Sequence, residues 1–136
     1  MQVKAKLNNL RISPRKVRLI ADLVRGLDVS DALNQIEASY KRASLQMKKL
    51  ILSAISNGEN NIGIDRDNMY VFGILVDAGS SLKRWMPKAY GRASQILKRT
   101  AQIEVILEER VEGKGRKSQA ELEAARKKRT EDKMKR

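Results

Sequence analysis

MYVFGILVDAGSSLKRWMPKAYGRASQILKRTAQIEVILEE, residues 69–109, consists of two apolar runs separated by a segment of a single charge sign. From Met69 to Val76 nearly every residue is apolar, the pattern of a strand covered by helices on at least one side. The second run extends from Ile96 to Leu107, where Ala101, Ile103, Val105 and Leu107 alternate with Thr100, Gln102, Glu104 and Ile106. The two runs predict an antiparallel pair. Between Asp77 and Glu104 no acidic residue occurs, while Lys83, Arg84, Lys88, Arg92, Lys98 and Arg99 do, with Trp85, Pro87, Tyr90 and Gly91 among them. Such a connection is too long for a tight hairpin, and at about 3.3 Å per residue each arm reaches roughly 30 Å beyond the sheet. Loops of this length without helical pattern are usually functional or disordered.

Upstream, Val3, Ala5 and Leu7 alternate with Lys4, Lys6 and Asn8, which predicts a strand with one buried and one cationic face. Ser13-Pro14 then marks a helix start, the hydroxyl as cap and the proline in the first turn, with Val17, Ile20, Ala21 and Val24 on one face and Gly26 as the stop. Its other face carries Arg15, Arg18, Asp22 and Arg25. A shorter helix is expected from about Ser30 to Ser39, capped by Ser30 or Asp28. In the third, from Lys41 to Asn57, Leu45, Met47, Leu50, Ile51, Leu52, Ala54 and Ile55 cover most of the girth, so it is expected in the middle of the core, ended by Gly58 and the loop-forming Glu59-Asn60-Asn61. Downstream, Gly113-Lys114-Gly115 reads as a flexible break, and Ser118 with Glu121 as a capping box before a charged stretch with no apolar stripe.

The 29 Lys and Arg against 16 Asp and Glu leave +13 on 136 residues, which points to a polyanionic partner. Six uncompensated cations in one loop repel each other in water, whereas among phosphates they displace condensed counterions. Trp85 and Tyr90 fit either a small apolar tip or stacking on bases. The length suits one domain with projecting parts. The chain has no cysteine, so disulfides and thiolate metal sites are excluded, and no histidine, which removes the usual proton-transfer group near neutral pH. Neither a signal peptide nor a membrane span is visible, so a cytosolic or equivalent space and no membrane partner are expected.

No spacing suggests an activated Ser or Thr, and Asp65 and Asp67 lack the twelve-residue loop pattern with a terminal Glu that a calcium site would show. Gly113-x-Gly115 has no following Gly-Lys-Ser/Thr and is not a phosphate loop. No enzyme and no cofactor are expected. A free nucleic-acid binding module, such as a DNA-compacting protein, is compatible with the composition but has less use for one long uncompensated loop.

The chain resembles a known family in three places: LRISPRKVRLIADLVRG from Leu10 to Gly26, LILSAISNGENN ending at Asn61, and AGSSLKRWMPKAYGRASQILKRT from Ala78 to Thr100. That family is the large-subunit ribosomal protein L-twenty-two, bacterial type, and the resemblance covers roughly residues 1–109. It implies an α+β fold, with three helices packed on a small three-stranded antiparallel sheet and a long extended β-hairpin. It further implies a structural constituent that binds large-subunit rRNA, organises several rRNA segments during assembly, touches neighbouring ribosomal proteins and the nascent polypeptide, and lines the exit tunnel with its hairpin. No homo-oligomer is expected.

Carried onto this sequence, the implied rRNA contacts are Lys83, Arg84, Trp85, Lys88, Tyr90, Arg92, Lys98 and Arg99 in the hairpin, and Ser13, Pro14, Arg15, Lys16 and Arg18 at the helix start. The implied tunnel-lining tip comprises Leu82, Lys83, Arg84, Lys88, Ala89, Tyr90, Gly91 and Arg92, with Leu82, Lys83 and Arg84 where macrolide antibiotics are sensitive to the hairpin's conformation. Trp85 and Tyr90 replace residues that are often smaller or basic in the family, and Ala101-Gln102 a frequent Ser-His pair. The expected organisation is an RNA-binding domain over residues 1–110, its hairpin at about 78–100, and a charged tail over 111–136, flexible or marginally helical, for which the family supplies no role.

Overall fold

The computed structural model describes the backbone of residues 1–134 and the side chains of all of these except residues 119, 125, 126, 129 and 131–133. Strand β1 (Gln2–Leu10) realises the first alternation, burying Val3 and Ala5. It pairs antiparallel with β5 (Ala101–Glu109), which pairs antiparallel with β2 (Met69–Ala78), giving the order β1-β5-β2. In β2 the ladder runs from Val71↔Leu107 to Gly73↔Ile106, so Phe72 is an extra residue. This bulge explains the uniformly apolar run MYVFGILV. Before it the inward residues are Met69 and Val71 and after it Ile74 and Val76, because one inserted residue switches the phase of a period-two pattern. Phe72 and Leu75 remain exposed on the far face of the sheet, which no helix covers.

Helices α1 (Pro14–Val24), α2 (Val29–Ala38) and α3 (Ser44–Asn57) form a layer on the other face, α1 against β2 and α3 against β1 and β5. Val17, Ile20, Ala21 and Val24 of α1 are completely buried, as are Met47, Ile51 and Ala54 of α3. A fully buried side chain of the size of valine or isoleucine contributes about 1.5–3 kcal/mol relative to leaving it in water. Ser13 stands at the cap of α1, yet its hydroxyl makes no capping bond; its carbonyl accepts from the N–H groups of Lys16 and Val17. Asp28 likewise occupies the cap of α2 without capping it and pairs with Arg110 at 2.6 Å.

The expectation that α3 lies in the middle of the core is corrected by Leu45 and Leu52, both exposed. A helix in a single layer has the sheet on one side and water on the other, so its apolar girth exceeds what the fold buries. Gly58 does not end this helix either. It continues as a π turn over Gly58–Ile62 and stops at Gly63, whose φ of 78° is left-handed. The small residue at 58 serves packing, since a Cβ there would lie 2.6 Å from the Met69 side chain.

The run expected as one strand from Ile96 to Leu107 is two strands. The chain leaves the sheet after Ala78, forms a separate ribbon of β3 (Leu82–Pro87) and β4 (Ala93–Lys98), and returns as β5. Thr100 sits buried at the joint and donates its hydroxyl to Ser80 O at 2.7 Å, while Gly79 N–H donates to Thr100 O.

Beyond β5 the chain folds back over residues 63–68. Buried Asn68 donates its amide nitrogen to the carbonyls of Val111 and Lys114 and accepts from Val111 N–H. Lys117 N–H donates to Gly63 O at 2.8 Å. Gly113 and Gly115, expected as a flexible break, are left-handed turn residues in this tied-down segment, and Gly115 packs so closely on Asp65 that a Cβ would come within 2.9 Å of it. A fourth helix, α4 (Gln119–Met134), then begins at a reciprocal capping box in which Ser118 N–H donates to Glu121 Oε2 and Glu121 N–H to Ser118 Oγ. Lys135 and Arg136, the end of the expected tail, lie outside the described residues. The fold is α+β, with five strands in a three-stranded sheet and a ribbon, and no helix among the described residues is long and apolar enough to cross a membrane.

Candidate nucleic-acid interface

The ribbon pairs Leu82↔Lys98, Lys83↔Leu97, Arg84↔Ile96, Trp85↔Gln95, Met86↔Ser94 and Pro87↔Ala93. Directly paired residues share a face, so one face shows Leu82, Arg84, Met86, Ser94, Ile96 and Lys98 and the other Lys83, Trp85, Pro87, Ala93, Gln95 and Leu97. Each face thus has a cation and exposed apolar groups, and no residue of β3 or β4 is buried. Such a ribbon has no inner side. It is built to be surrounded rather than to lie on one surface.

The ribbon closes through Lys88–Arg92, where Lys88 N–H donates to Arg92 O at 2.7 Å and Arg92 N–H to Ala89 O. Tyr90 has φ 57° and ψ 37°, a left-handed conformation rare for an aromatic residue, and Gly91 follows with φ 65°. These angles turn the Tyr90 ring out of the ribbon, leaving it 99% exposed. Trp85 is 65% exposed as well, so the two aromatics do not form a local apolar tip. The far end consists of Lys88, Ala89, Tyr90, Gly91 and Arg92. Leu82, Lys83 and Arg84, expected beside them at the tip, lie instead at the base, because the register places Leu82 opposite Lys98 next to the joint.

The helix-start residues come to the same end of the body. Three contacts show that α1 runs antiparallel to β2: the guanidinium of Arg18 donates to Val76 O at 2.9 and 3.2 Å, that of Arg25 to Ile74 O at 2.9 Å, and Gly26 N–H to Val71 O at 2.8 Å. The start of α1 therefore lies where the ribbon leaves the sheet. These same contacts close the exposed edge of β2, whose carbonyls would otherwise offer a template for another strand. Arg18 is accordingly a structural donor, while Arg15 and Lys16 are exposed and form no ion pair. Sequence patterning missed three further cations at this end. Arg11 follows β1, and Lys41 and Arg42 precede α3; the last two fall in another acid-free stretch, between Glu37 and Glu59, which the criterion applied to the ribbon would have picked out.

Carboxylates gather at the opposite end. Arg110 pairs with Asp28 and lies over the Tyr70 ring, and Tyr70 donates to Glu108 at 2.9 Å, a bond that with burial and the Glu108 charge raises the phenol's pKa. Burial pushes the Glu109 carboxyl up, but its bonds from Arg116 at 2.6 Å and from Gly113 N–H outweigh this and hold it below the ordinary carboxylate value. The body is thus polar in charge, with paired acids at one end and uncompensated cations at the other. Among the described residues no three acidic side chains converge in a way that would hold a metal. Residues 5–108 match the model of a family described as ribosomal protein L22p/L17e, a span containing α1–α3, the ribbon and nearly all of the three-stranded sheet.

Proposed function

Because the chain belongs to the L22p/L17e family of ribosomal proteins, structural, non-enzymatic constituents of the large ribosomal subunit that bind its rRNA and act in translation, we propose that the ribbon is the element threaded among rRNA segments. The observation that carries this reading is its two-sided exposure. Cations on both faces and at the turn, with no carboxylate between Asp77 and Glu104, suit a rod with phosphates on several sides, whereas a surface reader needs charge on one face only.

In this reading Lys83, Arg84, Lys88, Arg92, Lys98 and Arg99 neutralise phosphates of separate rRNA segments and so favour their close packing during assembly. Trp85 and Tyr90 offer planar faces to unstacked bases. Ser13, Pro14, Arg15, Lys16 and Arg18 meet rRNA where the ribbon enters it. The far end, Lys88–Arg92, lines the tunnel of the nascent polypeptide, and the protein works in the cytoplasm as one copy per subunit, beside other ribosomal proteins.

The test is binding of the intact chain and of a Lys83→Ala, Arg84→Ala, Lys88→Ala, Arg92→Ala variant to large-subunit rRNA and to duplex DNA over a salt series. Preference for rRNA, with the slope of log affinity against log salt shallower by about 3 in the variant, is expected from four lost phosphate contacts at roughly 0.7–0.9 each. Equal affinity for DNA with an unchanged slope would reject the reading. For the tunnel, a photoreactive residue in place of Ala89 is expected to cross-link an arrested nascent chain in assembled ribosomes, and one at Glu37 is not. Cross-linking from Glu37 alone would remove the ribbon from the tunnel wall.

A further inference from the structure

The cations that sequence patterning missed line a second surface, separate from the ribbon. Arg11, Lys16, Lys41 and Arg42, with Leu19 and Ile12, surround a cleft of about 450 Å³ between the β1–α1 turn and the α2–α3 turn. A second hollow of about 530 Å³ at the end of β1 shares Arg11, Ile12 and Arg42 with it and adds Leu45, so one groove passes beneath both arginines. No carboxylate lines either hollow. All four cations are exposed, and among the described residues none forms an ion pair. Elsewhere on the body Lys6, Arg25, Lys48, Arg110 and Arg116 each have an acidic partner.

Four like charges around a concavity repel each other, and folding does nothing to offset this. The adjoining helices do not offset it either. Neither α1 nor α3 is capped by a side chain or carries an acidic residue in its first turn, and α1 has Arg15 and Lys16 there, against the direction its dipole favours. α2, whose start faces elsewhere, has Asp31 in that position. An anion in the groove reverses all of these unfavourable terms together. The groove is also partly apolar, since Leu19 and Leu45 are more than half exposed at its wall. A duplex brings phosphates but keeps its bases stacked inside, whereas an unpaired nucleotide offers a phosphate and a planar apolar face at once.

Resting on the rRNA reading above, we propose that this groove seats an unpaired stretch of rRNA, its phosphates held by Arg11, Lys16, Lys41 and Arg42 and a base laid against Leu19 and Leu45. The full-length chain is titrated with a short unstructured oligouridine and with an RNA duplex of equal length over a salt series. Arg11→Ala, Lys41→Ala, Arg42→Ala in one variant is expected to lower oligouridine affinity about tenfold or more and to make the salt slope shallower by about 2, from three contacts at roughly 0.7 each. Leu45→Ser, a change at an exposed position, is expected to weaken oligouridine binding with the slope unchanged. Intact oligouridine binding in the triple variant overturns the proposal, as does a duplex that binds as tightly and is affected as much. If the intact chain still prefers large-subunit rRNA to duplex DNA in that case, only the groove assignment falls; if the preference is absent too, the rRNA reading falls with it.

Discussion

The β2–β5 ladder and the β3–β4 ribbon are consecutive stretches of the same two antiparallel chain segments, yet they are held in different ways. In the ladder Ile74, Val76, Ile103 and Val105 are buried against the helices; in the ribbon nothing is buried, and Ile96 and Leu97 are each about 40% exposed. Backbone pairing is common to both, so pairing does not account for the difference. An isolated two-stranded hairpin is marginal in water, and the ribbon adds to its pairing only a joint and a partner outside the chain. The comparison breaks most visibly if volume is removed from each. Ile103→Ala is expected to cost about 2–5 kcal/mol, read from the denaturant midpoint, and Ile96→Ala under about 0.5 kcal/mol. Similar losses at the two sites would mean that the ribbon is part of the cooperative core.

Charge gives the second contrast. In the body Glu109 is nearly inaccessible and meets Arg116, whereas the ribbon's cations have no acidic partner. Glu109→Gln is expected to destabilise by about 2 kcal/mol at neutral pH, the scale of a lost hydrogen bond to a charged group. The sign with pH follows from the lowered native pKa of Glu109. Its contribution is fully present above the unfolded value and is lost as pH falls through the native one. Unfolding curves of the wild type and Glu109→Gln should therefore converge on acidification. A constant gap down to the acid limit would show that the effect is one of shape and not of ionisation.

The joint between the regions is the third target. Thr100→Val keeps the shape and removes the bond to Ser80 O, with an expected cost of about 1 kcal/mol. Because Thr100 is buried while the ribbon beyond it is not, the larger consequence is expected in amide exchange, as faster exchange across the ribbon with little change in β5. Uniform acceleration through the sheet would place Thr100 in the core and leave the ribbon without a joint of its own.

What the sequence made legible is what depends on near neighbours. The β1 alternation, the buried face of α1 and the Ser118–Glu121 box each rest on spacings of two to four residues, and each is found. Asn68 read as a loop residue because its three side-chain bonds go to residues more than forty positions away. Arg18 read as a free cation because the strand edge it closes is 58 residues distant. For α3 the girth was apolar and the unknown was what surrounds it, which no spacing within a helix encodes. In the candidate site the charge signal was visible in the ribbon, but its register was not, so Leu82, Lys83 and Arg84 were expected at the wrong end. The groove escaped because its cations come from two turns that only the packing of α1 and α3 against β1 brings together.

Tyr90 offers the smallest effect on stability and the sharpest test of the ribbon's independence. Its left-handed backbone disfavours an aromatic side chain by about 1 kcal/mol, and its ring touches too little of the chain to compensate. Asparagine tolerates that conformation better. Tyr90→Asn is therefore expected to leave global unfolding unchanged within about 0.5 kcal/mol and to slow amide exchange within Lys88–Arg92. If the ring stacks on a base, the same substitution weakens rRNA binding by about 1–3 kcal/mol; if it faces the nascent chain, rRNA affinity is retained and cross-linking from the neighbouring position 89 changes instead. A global loss of more than about 1 kcal/mol would mean that the turn is coupled to the body, since strain at an element that unfolds by itself cannot reach the core's transition.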